Sequence, residues 1–559
     1  IYMRFKGWCN MTNKDLADVI FPNITKTIED YEKEYPRRNL KDGAMVTRYA
    51  PSPTGFIHIG ALLSCFINGV YARQSGGVFY LRIEDTDTER TIDNGINTII
   101  NGLKEYGVSF DEGPLTENTS FGNYGPYIQS KRKEIYQAFA KHLILEGKAY
   151  PCFCTEEEIA DLRETQAKRK QRIGYYGNYA KCRMVSVEDA IERIKNNEEY
   201  VIRLKSPGDA DKNIICHDEI RGDVVFPEYD LDIPIIKKDG LPTYHFAHLV
   251  DDYLMGTTHV IRGDEWLSSM PLHLQLFDIF GFERPKYVHI SPLNKKEGNI
   301  VRKISKRKDP EFAMSYYYQK GIPLQAVREY LAIITNSDYE DWHMANPDKK
   351  IEDFNFQFSK MNKSGALYDM EKLINISKNY ISSLTALEVY DKLLEYTKEF
   401  DLEFNELLTK YRDYSVDILN IERCQEKPRK DYASYSDVKS QIWYMYDEYF
   451  KDVNYEWQKI NDIDEIKKIL STYIDKYYNE NYNKEEWFDN IKLLSLELGY
   501  AANMKDYKKN PENYKGNVAD ISTVIRVALT SKYMTPDLYE ITRLLGRDRV
   551  INRINSIKY

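Results

Sequence analysis

The stretch Ala50-Pro-Ser-Pro-Thr-Gly-Phe-Ile-His-Ile-Gly60 sets a histidine two places before a glycine, after a turn stiffened by two prolines. An apolar helical pattern, ALLSCFINGVYARQ, starts at once after it. A helix N-terminus offers unpaired N–H groups and a partial positive charge, which favour phosphate. Gly60 lets a ligand approach the backbone, and His58 can donate to a phosphate oxygen as charge develops in a transition state. A capping or core role is the ordinary alternative for a lone histidine. Neither GxxxxGK[ST] nor GxGxxG occurs, so the two commonest phosphate loops are excluded. A second cluster lies at 295–308, where Lys295, Lys296, Arg302, Lys303, Lys306, Arg307 and Lys308 face one acid, Glu297, for a local charge of +6. A basic loop at the carboxyl end of a strand can close over a polyphosphate; alone, it is as readily a solvated loop.

These groups need a frame that brings both clusters to one face. AMVTRYA (44–50) reads as a strand, 60–73 as a helix and VFYLRIED (78–85) as a strand, a βαβ unit with its ligand face at the strands' carboxyl ends. A helix follows at about 92–106. The pattern resumes with a strand at 258–265, a helix at 266–281 and a strand at 287–293. The region between, about 115–240, reads as an insertion. Beyond about 310 the periodicity is almost wholly helical, with Val327, Leu331 and Ile334 on one face.

At 559 residues the chain exceeds one core, and three to five domains are expected. No apolar run of about 18 residues occurs, so no membrane span is expected. Residues 1–10 lack a secretion core, and Met11 is a candidate natural start. Seven scattered cysteines point to a reducing, cytoplasmic setting. The net charge is −9, so any nucleic-acid surface must be a local patch.

RYAPSPTGFIHIG, LRIEDTDTER, YHFAHLVDDYLMGTTHVIRGDEW and KISKRKDP together resemble the class I aminoacyl-tRNA synthetases, and within them the bacterial-type glutamyl-tRNA synthetases. The resemblance runs from about residue 44 to the C-terminus and weakens over 380–500. It implies a Rossmann-like α/β catalytic domain, an inserted acceptor-binding domain and an all-α anticodon-binding region. The boundaries it suggests are 1–43 for an N-terminal extension, 44–114 and 241–310 for the catalytic halves and 115–240 for the insertion. A helical stem-contact domain would follow at 311–375 and the anticodon region at 376–559. It implies activation of L-glutamate by ATP with Mg2+ and transfer to tRNA(Glu), by a monomer with no membrane partner. The substrate supplies the nucleophile, so the protein's task is positioning and charge stabilisation.

By the same resemblance, Arg48 and Tyr244 would hold the side-chain carboxylate of glutamate, with Ala50 and His248 beside them. Ser52 and Glu84 would orient its backbone end, Glu84 taking the ammonium, and Arg262 would pair with the α-carboxylate. Pro53, His58, Gly60, Glu265, Leu293, Lys303, Ile304, Ser305, Lys306 and Arg307 would cradle ATP, with His58 and Lys306 catalytic. The signature departs from the family at Ala61, where a second histidine is usual. Cys152, Cys154 and Cys182 raise a zinc question: some relatives complete such a set with a histidine, but Met184 stands in that place, leaving Tyr175, Tyr176 or Tyr179 as fourth ligand, and reduced free thiols are the default. CQEKPRKDYASYSDVK (424–439) mixes Lys427, Arg429 and Lys430 with Tyr432 and Tyr435, a composition suited to phosphate contact and stacking on unpaired bases, and equally to an ordinary exposed loop. Charging of tRNA(Gln) as well, a small-molecule nucleotidyltransferase and a non-catalytic tRNA-binding paralogue are the other readings.

Overall fold

The computed structural model describes residues 11–53, 57–87, 92, 94–304 and 308–558. They divide into two units, Ile1–Met314 with Leu331–Tyr368, and Ser315–Tyr330 with Asp369–Tyr559. The expected 311–375 region is thus shared between the two.

In the first unit, two short helices, α1 (Asn13–Ile20) and α2 (Ile28–Glu34), precede the first strand. Each begins on a threonine whose hydroxyl accepts the amide three residues on, with a returning aspartate, so capping boxes fix both starts. Strand β1 (Val46–Tyr49) leads into helix α3 (Ile59–Ser75), and β2 (Val78–Leu81) returns parallel to β1 with Arg48 opposite Tyr80. Helix α3 ends at Gly76, whose φ of 68° is the left-handed value that glycine takes without steric cost. It is buried along most of its length, through Leu62, Leu63, Phe66, Ile67 and Val70 among others. Helix α4 (Gly95–Glu105) follows.

The insertion begins with two-residue strands β3 (Gly113–Pro114) and β4 (Ser120–Phe121) and helix α5 (Lys133–Leu145). Strands β5 (Ala149–Cys152), β6 (Val201–Leu204) and β9 (Pro234–Ile236) make an antiparallel sheet in the order β5-β6-β9. The charged stretch after the cysteines forms α6 (Glu156–Lys168), and α7 (Val187–Lys195) follows. A hairpin of β7 (Asn213–Asp218) and β8 (Gly222–Pro227) leaves that sheet and joins the catalytic one.

The second catalytic half is α8 (Tyr244–Leu254), β10 (His259–Gly263), α9 (Met270–Phe280) and β11 (Lys286–Ile290). Strands β10 and β11 are parallel with Arg262 opposite His289. The Thr258 amide donates to the Val46 carbonyl at 3.0 Å, which sets β10 beside β1. The elements are shorter than their sequence patterns. The helix expected at 266–281 starts at Met270 after a 3-10 turn over Asp264–Ser269, and the strand expected at 287–293 breaks after Ile290. A new hairpin, β12 (Leu293–Glu297) with β13 (Ile300–Lys303), then carries most of the basic cluster. No described helix is long and apolar enough to cross a membrane. The second unit is helical, from Met370–Ser383 to Leu538–Asn555, around its own apolar core. Residues 315–330 belong to it: the Gly321 carbonyl accepts from the Tyr435 amide at 3.0 Å and Tyr330 Oη accepts from the Asp369 amide at 2.8 Å.

Candidate active site

His58 is the N-cap of α3, and its Nδ1 accepts the Gly60 amide at 3.0 Å. The ordinary capping role and the phosphate role are therefore compatible. An acceptor at Nδ1 puts the proton of the neutral ring on Nε2, the nitrogen left to donate. A Cβ on Gly60 would come within 2.7 Å of the His58 ring, so only glycine permits this fold-back.

Ser305, Lys306 and Arg307 lie outside the described residues, but their flanks are fixed. The Ile304 amide donates to the Leu293 carbonyl at 3.1 Å. On the other side Ala313 bridges His58, and the Met314 amide donates to the Ile57 carbonyl at 3.2 Å. The fold thus ties the segment after the basic loop to the histidine turn, although some 250 residues separate the two in sequence. Lys303 Nζ lies 3.3 Å from Glu265, so two expected ATP-site residues meet. The local charge is smaller than +6. Arg302 holds Asp309 through two 2.7 Å bonds and also pairs with Glu297, while Lys295 pairs with Glu311 at 2.5 Å. Asp309 and Glu311 stand just beyond the 295–308 window and neutralise part of it.

Arg48, at the end of β1, is buried. Its Nε lies 3.1 Å from Asp252 Oδ1 and its Nη1 3.3 Å from the Ile261 carbonyl. Burial works against its charge, and Asp252 together with the Tyr80 and Tyr244 hydroxyls more than offsets that. Asp252 also receives Arg82 Nη1 at 2.7 Å and Thr257 Oγ1 at 3.0 Å. Despite its burial these cations hold it well below the usual carboxylate range. Arg82 reaches on to Glu84 at 2.9 Å. Burial raises the Glu84 carboxyl even so.

Tyr244 stacks on Trp266 with centroids 4.3 Å apart, and its hydroxyl meets Arg262 Nη1 at 3.5 Å. Burial pushes it up to about 12, so it stays a neutral phenol. His248 is fully buried: Nδ1 lies 2.7 Å from Asp252 Oδ2 and Nε2 3.2 Å from the Tyr287 hydroxyl. Arg262 donates to His289 Nε2 at 3.1 Å and His273 Nδ1 at 3.0 Å, and no described carboxylate pairs with it. Pro53 is buried, its carbonyl accepting the Ile92 amide at 3.1 Å; Ser52 is exposed, and Ala50 lies between them and Arg48 in the chain. Sequence reasoning missed Arg82, Asp252, His273, His289 and Asp218. Arg82 and Asp252 stand inside two of the quoted stretches but were given no role there, and no motif marks His273, His289 or Asp218, because all five act on the site residues from behind.

The three cysteine sulfurs of Cys152, Cys154 and Cys182 lie within 4.8 Å of one another. Tyr175 Oη stands 3.6 Å from Cys152 Sγ and 3.4 Å from Cys154 Sγ, while Met184 is 87% exposed. A hydrogen bond from Cys182, with Arg203 nearby, draws Cys152 well below the ordinary thiol range.

A class I frame, a histidine at the helix cap and a basic loop tied to it point to nucleotide chemistry, and comparison with known proteins decides which. The family described as tRNA synthetases class I (E and Q), catalytic domain, matches residues 44–375, and an anticodon binding domain matches residues 429–558. The chain belongs to the class I tRNA synthetases of the glutamate and glutamine group. A glutamate--tRNA ligase of Clostridium perfringens is 50% identical over 97% of this chain and 100% of that relative. One of Acetivibrio thermocellus is 46% identical over 98% of this chain and 100% of its own length. In fold, the synthetase resembles a glutamate tRNA ligase of Elizabethkingia meningosepticum crystallised with its amino acid. That match has TM-score 0.72 at 24% identity and covers 92% of this chain and 98% of that one. The glutamate-tRNA synthetase of Elizabethkingia anophelis matches with TM-score 0.71 at 25% identity, over 91% and 99%.

In this class I synthetase the aromatic residues expected to stack on tRNA bases are not available. Tyr432 and Tyr435 are each only 8% exposed, and Arg429 pairs with Asp431 and Glu422. The two tyrosines belong to the core of the second unit, while Lys427 and Lys430 of the same stretch stay exposed.

Proposed function

We propose that the chain is a glutamate--tRNA ligase. It activates L-glutamate with ATP to glutamyl-adenylate, releasing pyrophosphate, and transfers glutamate to the 3′ end of tRNA(Glu). The observation that carries this reading is a charge pattern: two buried guanidiniums, Arg48 and Arg262, with the Glu84 carboxylate and the Tyr244 hydroxyl in the same site. A ligand with two carboxylates and one ammonium complements that set.

Arg262 takes the α-carboxylate, Arg48 the side-chain carboxylate, with Tyr244 between them, and Glu84 the ammonium. The ammonium relieves the cost of burying Glu84, whose acid is otherwise raised. The substrate's α-carboxylate then attacks the α-phosphate of ATP. His58 donates from Nε2 and Lys306 from the basic loop to the phosphate oxygens as charge builds, with Lys303 and Glu265 at the nucleotide's edge. Among the described residues no carboxylates are gathered as a cation cage, which fits Mg2+ carried in by the ATP phosphates, whose charge it neutralises. Cys152, Cys154, Cys182 and Tyr175 would hold a zinc ion in a closed four-ligand structural site.

The test is tRNA-dependent ATP–pyrophosphate exchange. Glutamate should support it, and glutamine at least about 100-fold less well, since losing a buried charge partner costs several kcal/mol. Equal exchange with both amino acids would overturn the reading. Charging of tRNA(Glu) and tRNA(Gln) transcripts in parallel decides whether the enzyme discriminates between them.

A further inference from the structure

Arg262 meets neutral acceptors where a buried arginine ordinarily meets an acid. A guanidinium only donates, so the two ring nitrogens it reaches, His289 Nε2 and His273 Nδ1, are both acceptors. His289 is locked in that tautomer from its far side: its Nδ1 lies 2.8 Å from Asp218 Oδ2, so its proton is there and Nε2 is bare. For His273 the guanidinium itself sets the tautomer: with Nδ1 accepting from Arg262, the proton sits on Nε2, 2.9 Å from His245 Nδ1. Two of the three remaining N–H groups go to the Trp266 carbonyl and the Tyr244 hydroxyl. His273 and His289 are both fully buried. Arg48 is the contrast within the same site, since Asp252 pairs with it directly.

We infer that His273 and His289 are positioning residues for amino-acid recognition: they aim the Arg262 guanidinium as neutral acceptors and leave its charge to be met by the α-carboxylate of the substrate. The inference rests on the glutamate reading above. An acid in either place would hold the guanidinium equally well, but it would meet the charge in full, whereas Asp252 beside Arg48 is shared with Arg82 and leaves positive charge over. Burial and the neighbouring positive charge keep both rings neutral: His273 is held well below the usual imidazole range and His289 is lowered despite Asp218.

The experiment compares two variants of the full chain of nearly equal size, His273→Asn and His273→Asp, in pyrophosphate exchange with tRNA(Glu), ATP and glutamate. Asn Oδ1 stands in for Nδ1 as a neutral acceptor, and its KM for glutamate should stay within about 3-fold of the parent. Asp supplies the same acceptor with a charge and should raise that KM at least about 100-fold, with the KM for ATP nearly unchanged. A structural role alone would affect the two variants alike, so equal KM values overturn the inference. If His273→Asp does not fold, His273→Leu replaces it. The Leu variant should raise the KM for glutamate at least about 10-fold with His273→Asn restoring it, and a parental KM in the Leu variant overturns the inference. No exchange by the parent chain with glutamate at any concentration would overturn the glutamate reading itself, and this inference with it.

Discussion

Arg48 Nε lies 3.1 Å from Asp252 Oδ1, and Arg82 approaches the same oxygen at 2.7 Å. One buried acid therefore holds two buried cations, one facing the substrate and one running on to Glu84. Asp252→Asn keeps the volume and removes the charge. It should destabilise the first unit by about 3 kcal/mol, because Arg48 is left without a counter-charge in low dielectric while Arg82 keeps Glu84 and, at 3.8 Å, Asp251. The KM for glutamate should change too, since Arg48 loses its anchor. Thermal unfolding and exchange kinetics read the two effects; an unchanged unfolding midpoint would show that the pair is not structural.

The basic loop should act on chemistry more than on binding. Its flanks are pinned at Leu293 and Ile57, and Lys295 and Arg302 are occupied by Asp309, Glu297 and Glu311, so the charges left for phosphate are few. Lys306→Ala should lower kcat by roughly 10²–10³ with little change in the KM for glutamate, as for a donor used mainly in the transition state. A raised KM for glutamate with kcat intact would contradict this.

How much of this was legible in the sequence depends on what each residue does. His58 and Gly60 sit in a short turn whose spacing carries the chemistry, Arg48, Glu84 and Arg262 in stretches that resemble the family's motifs, and the parallel strands that present them follow from alternating β and α patterns. Asp252 and His273 stand near Arg262 in the chain, and His289 and Asp218 farther off, yet nothing local distinguishes a buried supporting acid or histidine from a core one. Charge counting in a window failed for a related reason. Asp309 and Glu311 lay one and three residues past the window, and only the fold decides which charges pair. Tyr432 and Tyr435 were misplaced because a basic, tyrosine-rich stretch has the same composition on a surface and over a core.

Acid should unfold the first unit early. Burial keeps His245 at about 4, His248 at about 3 and His259 at about 4, and holds His273 well below the usual imidazole range. In the unfolded chain each titrates near 6.5. The unfolded state therefore binds more protons below that value, and stability falls as pH drops from about 6.5 towards 4, at about 1.4 kcal/mol per pH unit for each ring. His289 is lowered as well, burial outweighing its bond to Asp218, and adds to the same fall. Urea unfolding at pH 7 and pH 5 should show a clear loss, and His248→Asn should reduce it. A midpoint independent of pH over that range would mean that these rings are protonated in the folded state.

The cysteine cluster makes a metal prediction with its own readout. The chain should purify with about one zinc per molecule if Cys152, Cys154, Cys182 and Tyr175 form a closed four-ligand site. Removing zinc with a chelator should lower the unfolding temperature and make the thiols reactive, because bound thiolates are unavailable. Tyr175→Phe should weaken zinc retention. A metal-free chain with the same unfolding temperature before and after chelation would leave three reduced thiols packed under a phenol.

Recognition of tRNA by the second unit should depend on exposed groups rather than on the buried tyrosines. Phe488 is 42% exposed and lines a cleft with Trp487, Tyr539, Lys484 and Arg526. Arg526 donates to the Thr535 and Pro536 carbonyls, and no described carboxylate pairs with it. An aromatic face beside such a cation suits an unpaired base and its phosphate. Truncation near residue 375 is a poor test, because it would strip residues 315–330 of partners such as Tyr435 and Glu399. Point variants are cleaner. Phe488→Ala should weaken tRNA(Glu) binding by about 1–3 kcal/mol if a base stacks there. Arg526→Ala should also weaken it, and should flatten the fall of affinity between about 50 and 200 mM salt if the arginine meets phosphate. Tyr435→Phe, altering only a buried hydroxyl, should leave binding unchanged. Binding is measured with full-length tRNA(Glu) at several salt concentrations, with unfolding temperatures as a control for each variant. If Phe488→Ala and Arg526→Ala fold and bind as the parent does, this cleft is not where the tRNA is read.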